Sequence, residues 1–115
     1  MRVIVAGGRD FEDYAMLRAC LEFTLEPDDE IVSGTAKGAD TLGERYAKEY
    51  DVPLHKFPAE WERHGKAAGP IRNRQMAEYG DKLVAFLTEN KLAGGTKDMI
   101  IEALKKGLEV HVYRY

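Results

Sequence analysis

Two glycine-containing segments of the chain have the composition of a phosphate-binding loop. Gly7-Gly8-Arg9-Asp10 places a cation beside two small residues, and Gly94-Gly95-Thr96-Lys97-Asp98 adds a hydroxyl group to the same pattern. Glycine lets a backbone approach a ligand closely, and the amides at the start of a helix attract anions. The ligand contacts predicted from these segments are Gly7, Gly8, Arg9, Asp10, Gly94, Gly95 and Thr96.

Two arginines stand near the start of a predicted helix, in Ile71-Arg72-Asn73-Arg74. Cations at that end of a helix oppose its dipole and cost stability unless an anion lies nearby. A salt bridge to Glu78 is one explanation. We favour the other, in which at least one arginine binds the phosphate of a ligand through its planar guanidinium. Arg72 and Asn73 are therefore predicted ligand contacts.

A third segment, Ser33-Gly34-Thr35-Ala36-Lys37-Gly38-Ala39-Asp40, combines small residues with a carboxylate at the start of a helix. In one interpretation Gly34 and Gly38 leave room for a ligand, while Asp40 or Ser33 hydrogen-bonds its ribose or base. In the other, Asp40 is only a helix cap and Gly38 only a turn residue.

Trp61 lies among charged residues in a long predicted loop. It could anchor that loop to the core. Alternatively it could stack on a nucleobase, a contact worth about 1–3 kcal/mol.

Several catalytic and cofactor patterns are missing from the sequence. The dinucleotide fingerprint lacks its third glycine, and no Gly-Lys-Ser/Thr follows to form a P-loop. His55, His64 and His111 have no metal-ligand spacing, and we expect no metal site. A nucleophile elbow and a Cys–His signal are also missing, so the sequence predicts binding more clearly than chemistry.

The elements that must position these residues alternate between strands and helices. We predict strands at residues 2–6, 30–32, 53–57, 82–87 and 110–113. Asp13 is predicted to cap the first helix, Asp40 to open the second and Thr96 to cap the last, which ends at Gly107. Residues 58–69 are predicted to be irregular, with a helix from Pro70 to Tyr79 and a loop at 91–95. This order predicts an α/β fold with a parallel sheet, helices on both faces and ligand binding at the carboxyl ends of the strands.

Composition limits the class of protein. At 115 residues we expect a single domain over residues 1–115. The net charge of -3 disfavours non-specific binding of nucleic acid. No apolar run reaches the length of a membrane span, and no signal-peptide pattern precedes the first strand, so we expect a cytoplasmic protein. The single Cys20 is expected to be buried or inert.

Longer motifs resemble a known family. They are Ala6-Gly7-Gly8-Arg9-Asp10-Phe11, the Ser33–Asp40 segment, Pro58-Ala59-x-Trp61, Gly65 to Met76, and Gly95-Thr96-Lys97-Asp98-Met99. Together they resemble the YspA-like (cpYpsA-related) branch of the SLOG superfamily of bacteria and phages. The resemblance implies a single Rossmann-like three-layer sandwich, with five parallel strands in the order 3-2-1-4-5. It also implies a nucleotide or nucleotide-derived ligand, such as AMP or ADP-ribose, and leaves a homo-oligomer such as a dimer open.

The superfamily also contains phosphoribohydrolases, which cleave the base from a nucleoside monophosphate. The resemblance carries over their arginine, at Arg72, four residues before Met76. Met99 occupies the position of their catalytic glutamate. Candidate catalytic residues are therefore Arg72, Asp98 and Asp10. The favoured expectation is a nucleotide-binding sensor or accessory protein, and the alternatives are a phosphoribohydrolase and, against the net charge, a single-stranded DNA-processing protein.

Overall fold

Five parallel strands form one sheet in the order β3-β2-β1-β4-β5 in the computed structural model, which describes residues 1–88 and 94–115. The predicted parallel sheet and its strand order are therefore confirmed. The strands are β1 (Arg2–Gly7), β2 (Glu30–Ser33), β3 (Leu54–Lys56), β4 (Lys82–Leu87) and β5 (Glu109–Arg114).

The helices cover both faces of this sheet. They are α1 (Tyr14–Thr24), α2 (Ala39–Glu49), α3 (Trp61–His64), α4 (Ala68–Tyr79) and α5 (Gly94–Lys105). Val3 and Val5 point towards α1 and α2, whereas Ile4 and Ala6 point towards α4 and α5. Side chains alternate between the faces of a strand, so residues 3–6 of β1 are all apolar because both faces are covered. No helix in the described ranges is both long and apolar enough to cross a membrane.

Of the predicted helix starts, the Asp13 cap is confirmed, the Thr96 cap is wrong, and the helix predicted to open at Asp40 begins one residue earlier. Asp13 caps α1 as expected, and its carboxylate accepts a hydrogen bond of 3.0 Å from the Met16 amide. The residue that caps α2 is Gly38, so Asp40 lies inside the first turn. Thr96 likewise lies inside the first turn of α5, which begins at Gly94. Gly38 has a φ of +81°, which residues with a Cβ rarely adopt, and this places the start of α2 before Asp40.

The segment predicted to be irregular contains helical turns. Residues 61–64 form α3, and a 3₁₀ turn at Gly65–Ala67 leads directly into α4 at Ala68. The helix therefore begins two residues before Pro70, which still occupies its first turn. The predicted loop at 91–95 lies outside the described residues at 91–93, and Gly95 belongs to α5.

Cys20 lies on α1 and is partly buried rather than fully enclosed. Burial raises the pKa of its thiol. The reactive thiolate is disfavoured as a result, which agrees with the expectation of an inert cysteine.

Gly38 provides a test of the close packing at the start of α2. A Cβ at this position would lie 2.1 Å from the Gly8 carbonyl oxygen. We expect Gly38→Ala to lower the free energy of unfolding by about 3 kcal/mol or more, because backbone strain adds to overpacking. Gly107→Ala is the matched control: its φ is +75°, but apart from its chain neighbours no described residue has an atom within 4 Å of the added Cβ. Urea denaturation should give a loss of only about 1 kcal/mol for it. If Gly38→Ala and Gly107→Ala lost the same free energy of unfolding, the close packing assigned to Gly38 would be wrong.

Candidate functional site

A cavity of about 490 Å³ opens at the carboxyl ends of β1 and β4. From β1 the sheet continues through β2 on one side and through β4 on the other. The chain connections therefore run in opposite directions from this point, which leaves a crevice where open α/β sheets bind ligands. The volume lies within the range of small-molecule and cofactor sites.

Most of the predicted ligand contacts meet in this cavity. The predicted residues in its lining are Gly7, Gly8, Arg9, Asp10, Asp40, Arg72, Asn73, Gly95 and Thr96. Sequence reasoning missed the other described lining residues, which are Ala6, Met76, Phe86, Leu87, Thr88, Met99 and Tyr115. Most of the missed residues are apolar.

Ser33, Gly34, Gly38 and Trp61 are not among the described lining residues. The Ser33 hydroxyl donates to Glu44 at 2.6 Å and accepts from the Thr35 amide at 3.0 Å, so it is used inside the β2–α2 turn. Gly34 lies beside the side-chain ends of Asp40 and Arg72, and Gly38 is required by its positive φ and by close packing on the Gly8 carbonyl. Gly94 begins α5, and its surroundings lie outside the described residues.

Trp61 does not form a wall of the cavity. It lies on α3 and is 52% exposed. Its ring edge packs beside Gly69 at the start of α4, where an added Cβ would be 3.4 Å away. With half of its surface exposed, Trp61 is not buried in the core, and its stacking on a nucleobase stays a prediction.

Gly8 has a packing role that differs from the predicted phosphate contact. Its amide donates to the Phe86 carbonyl at 3.1 Å, so that N–H is already paired. A Cβ on Gly8 would lie 1.8 Å from the Tyr115 hydroxyl. The first turn of α5 also reaches the cavity, and its Gly95 and Thr96 amides have no partner within the helix.

Arg72 connects three elements around the cavity. Its Nη1 donates to the Gly34 carbonyl at 2.5 Å and its Nε donates to Asn73 Oδ1 at 2.9 Å. Asn73 is buried, and its amide nitrogen donates to Asp98 at 2.9 Å and to the Gly95 carbonyl at 3.2 Å. The β2–α2 turn, α4 and α5 are thereby held together by one polar network.

Two cations face this network. Burial lowers the pKa of the Arg72 guanidinium, Asp40 opposes that change, and nearby Arg9 lowers it further. Arginine stays charged at physiological pH. The cavity therefore holds two positive groups close together. Arg74, the other predicted arginine, is exposed and lies outside the described lining.

Asp40 is a carboxyl group that lines the cavity and is only 5% exposed. Burial raises its pKa to about 6, although the Ala36 amide and Arg72 both favour the charged form. Its Oδ2 accepts from the Ala36 amide at 3.3 Å. A carboxyl group that titrates near neutral pH beside two arginines changes the net charge of the cavity within the physiological range.

The candidate catalytic carboxylates have other partners. Asp98 is not among the described lining residues, and it accepts from Asn73. Asp10 lines the cavity but accepts the Tyr115 hydroxyl at 2.6 Å. Met99 is 1% exposed and forms part of the apolar floor together with Met76. A thioether cannot transfer a proton, so position 99 contributes no acid or base.

Among the lining residues that were not predicted, Tyr115 is the one that the sequence pattern indicates most clearly. Tyr113 and Tyr115 alternate at the carboxyl end of β5, and they point to the same face of the sheet. The strand was predicted to end at residue 113, which left Tyr115 unassigned. A period-2 repeat of aromatic residues carried to the edge of the sheet would have placed it at the cavity.

Asp40 makes the stability of the protein depend on pH. Its pKa is about 6 in the folded chain, against an ordinary value of 3.8. Between these values the folded state binds more protons than the unfolded state, so the free energy of unfolding falls as pH rises. Asp40→Asn removes this loss. We expect its stability relative to wild type to rise by about 2.5 kcal/mol between about pH 4 and pH 7.5, measured by urea denaturation. If the stability difference between Asp40→Asn and wild type were the same at both pH values, the raised pKa of Asp40 would be wrong.

Comparisons with known proteins agree with this fold and with the motifs. A model of the YspA, cpYpsA-related SLOG family matches residues 1–64. The chain is 32% identical over 118 residues to the Gene 61 protein of Mycobacterium phage D29, and the alignment covers 95% of this chain and 93% of that protein. No solved structure matches the chain. The match over more than half of the chain, together with this relative, shows that the chain belongs to the YspA, cpYpsA-related SLOG family.

Proposed function

We propose that this protein binds a nucleotide or a nucleotide-derived ligand, such as AMP or ADP-ribose, and acts as a sensor or accessory protein. The observation that carries the proposal is the composition of the cavity between β1 and β4. Cations and helix amides lie at its polar side, and apolar side chains form its floor. A nucleotide has the same division between a charged phosphate and a flat, weakly polar base.

The polar side has the groups that phosphate requires. Arg72 uses Nε and Nη1 in the hydrogen bonds described above, and within residues 1–88 and 94–115 its Nη2 has no hydrogen-bond partner. Arg9 is exposed at the rim. The first turn of α5 adds the amides of Gly95 and Thr96, and the positive end of its dipole favours an anion. A phosphate placed here would replace water with charge-assisted hydrogen bonds.

The apolar floor favours a nucleotide over inorganic phosphate. Met76 and Met99 are almost fully buried and still form part of the lining. A free phosphate ion would gain nothing from this surface, since it has no apolar atoms. The carboxylates of Asp40 and Asp10 also line the cavity, and they can accept hydrogen bonds from ribose hydroxyls.

The alternative function is hydrolysis of a nucleoside monophosphate. Against it, Met99 places a thioether where the hydrolase relatives have glutamate, and Asp98 is held by Asn73. Asp40 is the buried carboxyl group that could exchange a proton in the cavity. It lies on α2 rather than on α5, so it does not replace the missing glutamate by position. Binding without turnover is the better-supported proposal.

Arg72 and Arg74 form a matched pair for testing ligand binding. Arg72 lines the cavity and Arg74, two residues along the same helix, is exposed. We expect Arg72→Ala to weaken AMP and ADP-ribose binding by about 10- to 100-fold, because a charge-assisted hydrogen bond contributes about 1.5–3 kcal/mol. Arg74→Ala should bind like wild type. Circular dichroism first checks that each variant is folded. Isothermal titration calorimetry then measures the dissociation constants of AMP and ADP-ribose for each variant.

Two results would contradict the proposal. One is a wild-type protein whose melting temperature is unchanged by AMP, NAD or ADP-ribose at millimolar concentration, since any ligand that binds the folded state must stabilise it. The other is equal binding by Arg72→Ala and Arg74→Ala.

Hydrolysis is tested by incubating the protein with AMP and following free adenine by liquid chromatography. We expect no adenine above the rate in buffer, because Met99 provides no acid or base. Release of adenine that Asp40→Asn or Asp98→Asn abolishes would establish the hydrolase instead. Such a result would also identify the carboxyl group responsible.

A further inference from the structure

Tyr115 is held firmly against the cavity although it lies beyond the last residue of β5. Its amide donates to the Leu87 carbonyl at 3.0 Å, which extends the pairing of β4 and β5 by one residue. Its ring packs on Phe11, with centroids 4.6 Å apart and an interplanar angle of 53°. The side chain is partly buried and forms part of the cavity lining.

The ring of Tyr115 stands at the end of an aromatic row. Phe11 stacks on Phe86 at 4.7 Å, and Phe86 stacks on Tyr113 at 5.7 Å. Phe86 also lines the cavity but is fully buried. Among the described lining residues, Tyr115 is therefore the aromatic side chain that keeps exposed surface. Trp61, predicted to provide such a surface, lies outside that lining.

The hydroxyl group fixes the ring in this position. It donates to Asp10 at 2.6 Å and lies directly over Gly8, where a Cβ would approach it to 1.8 Å. Only glycine at position 8 leaves space for the tyrosine. An aromatic ring held by packing on one side and by a hydrogen bond at its tip is ready to receive a flat group without ordering cost.

We infer that Tyr115 is the residue against which the base of the bound nucleotide packs, and that it distinguishes nucleotides from sugar phosphates that lack a base. This inference rests on the proposed function and adds the part of the ligand that the arginines do not recognise. Every base presents a flat π-face to an aromatic ring, so the contact selects for the presence of a base more than for its identity.

The test compares AMP with D-ribose 5-phosphate, which has the same sugar and phosphate without the base. Calorimetry on wild type should give tighter binding of AMP. We expect Tyr115→Leu to weaken AMP binding by about tenfold and to leave ribose 5-phosphate binding within about twofold, because only the stacking contact is removed. Tyr115→Phe keeps the ring and should retain the preference for AMP.

Tyr113→Leu is the matched control for damage to the aromatic row. Tyr113 stacks on Phe86 but is not among the described lining residues, and its hydroxyl hydrogen-bonds Thr24 at 2.9 Å. This variant should lose stability without losing the preference for AMP. If Tyr113→Leu and Tyr115→Leu reduce that preference equally, the effect comes from general loosening and the inference is overturned.

The other outcomes separate the inference from the proposed function. If wild type binds neither compound, the proposed function fails and the inference fails with it. If wild type binds both equally, or if Tyr115→Leu weakens both equally, the protein still binds phosphate but Tyr115 does not contact a base.

Should Tyr115→Leu not fold, nuclear Overhauser effects between the adenine protons of AMP and the Tyr115 ring in wild type decide the question. Their presence supports the contact, and their absence in a saturated complex overturns it.

Discussion

The close approach of four chain segments at Gly8 is the constraint on which the cavity depends. The Gly8 amide donates to Phe86 of β4, and its carbonyl accepts from Phe11 and from Ala39 at the start of α2. Tyr115 lies over its Cα atom, and Gly38 packs against its carbonyl oxygen. A side chain at position 8 would displace Tyr115 from this place. At the preceding Gly7, an added Cβ would lie 2.6 Å from the Phe86 carbonyl oxygen and 2.8 Å from Ala39 Cβ, so the close approach of β1, β4 and α2 requires glycine there.

The electrostatics of the cavity depend on burial more than on the number of charges. The chain is acidic overall, but Arg72 and Arg9 face the same crevice, and among the described carboxyl groups near Arg72 only Asp40 is deeply buried. Burial disfavours the charged forms of both Asp40 and Arg72. A bound anion would relieve the repulsion between the arginines, while a protonated Asp40 would leave their charge uncompensated. The proposed binding of an anion would therefore depend on pH.

The sequence predicted the sheet well because the signals for it are local and strong. Apolar runs that are too short for helices identified the strands, and the alternation with helices determined the parallel arrangement. The starts of the helices were harder to predict. Asp40 and Thr96 are good caps by residue type, but α2 begins after Gly38 and α5 begins at Gly94. Ser33 and Trp61 were assigned from their chemistry alone. Their actual partners, Glu44 and Gly69, are 11 and 8 residues away, and no local pattern indicates those contacts.

Arg72 holds the framework together in addition to the anion-binding role proposed for it, and this would limit how the site can change. The guanidinium that faces the cavity also fastens the β2–α2 turn to α4, and its neighbour Asn73 fastens α4 to α5. A mutation that altered anion recognition here would also loosen the framework, so selection for a new ligand would meet a stability barrier. Arg9 is exposed and has no such framework role in the described contacts. A change at Arg9 would therefore alter the charge of the rim alone, whereas a change at Arg72 would alter the charge of the cavity and the packing of three elements together.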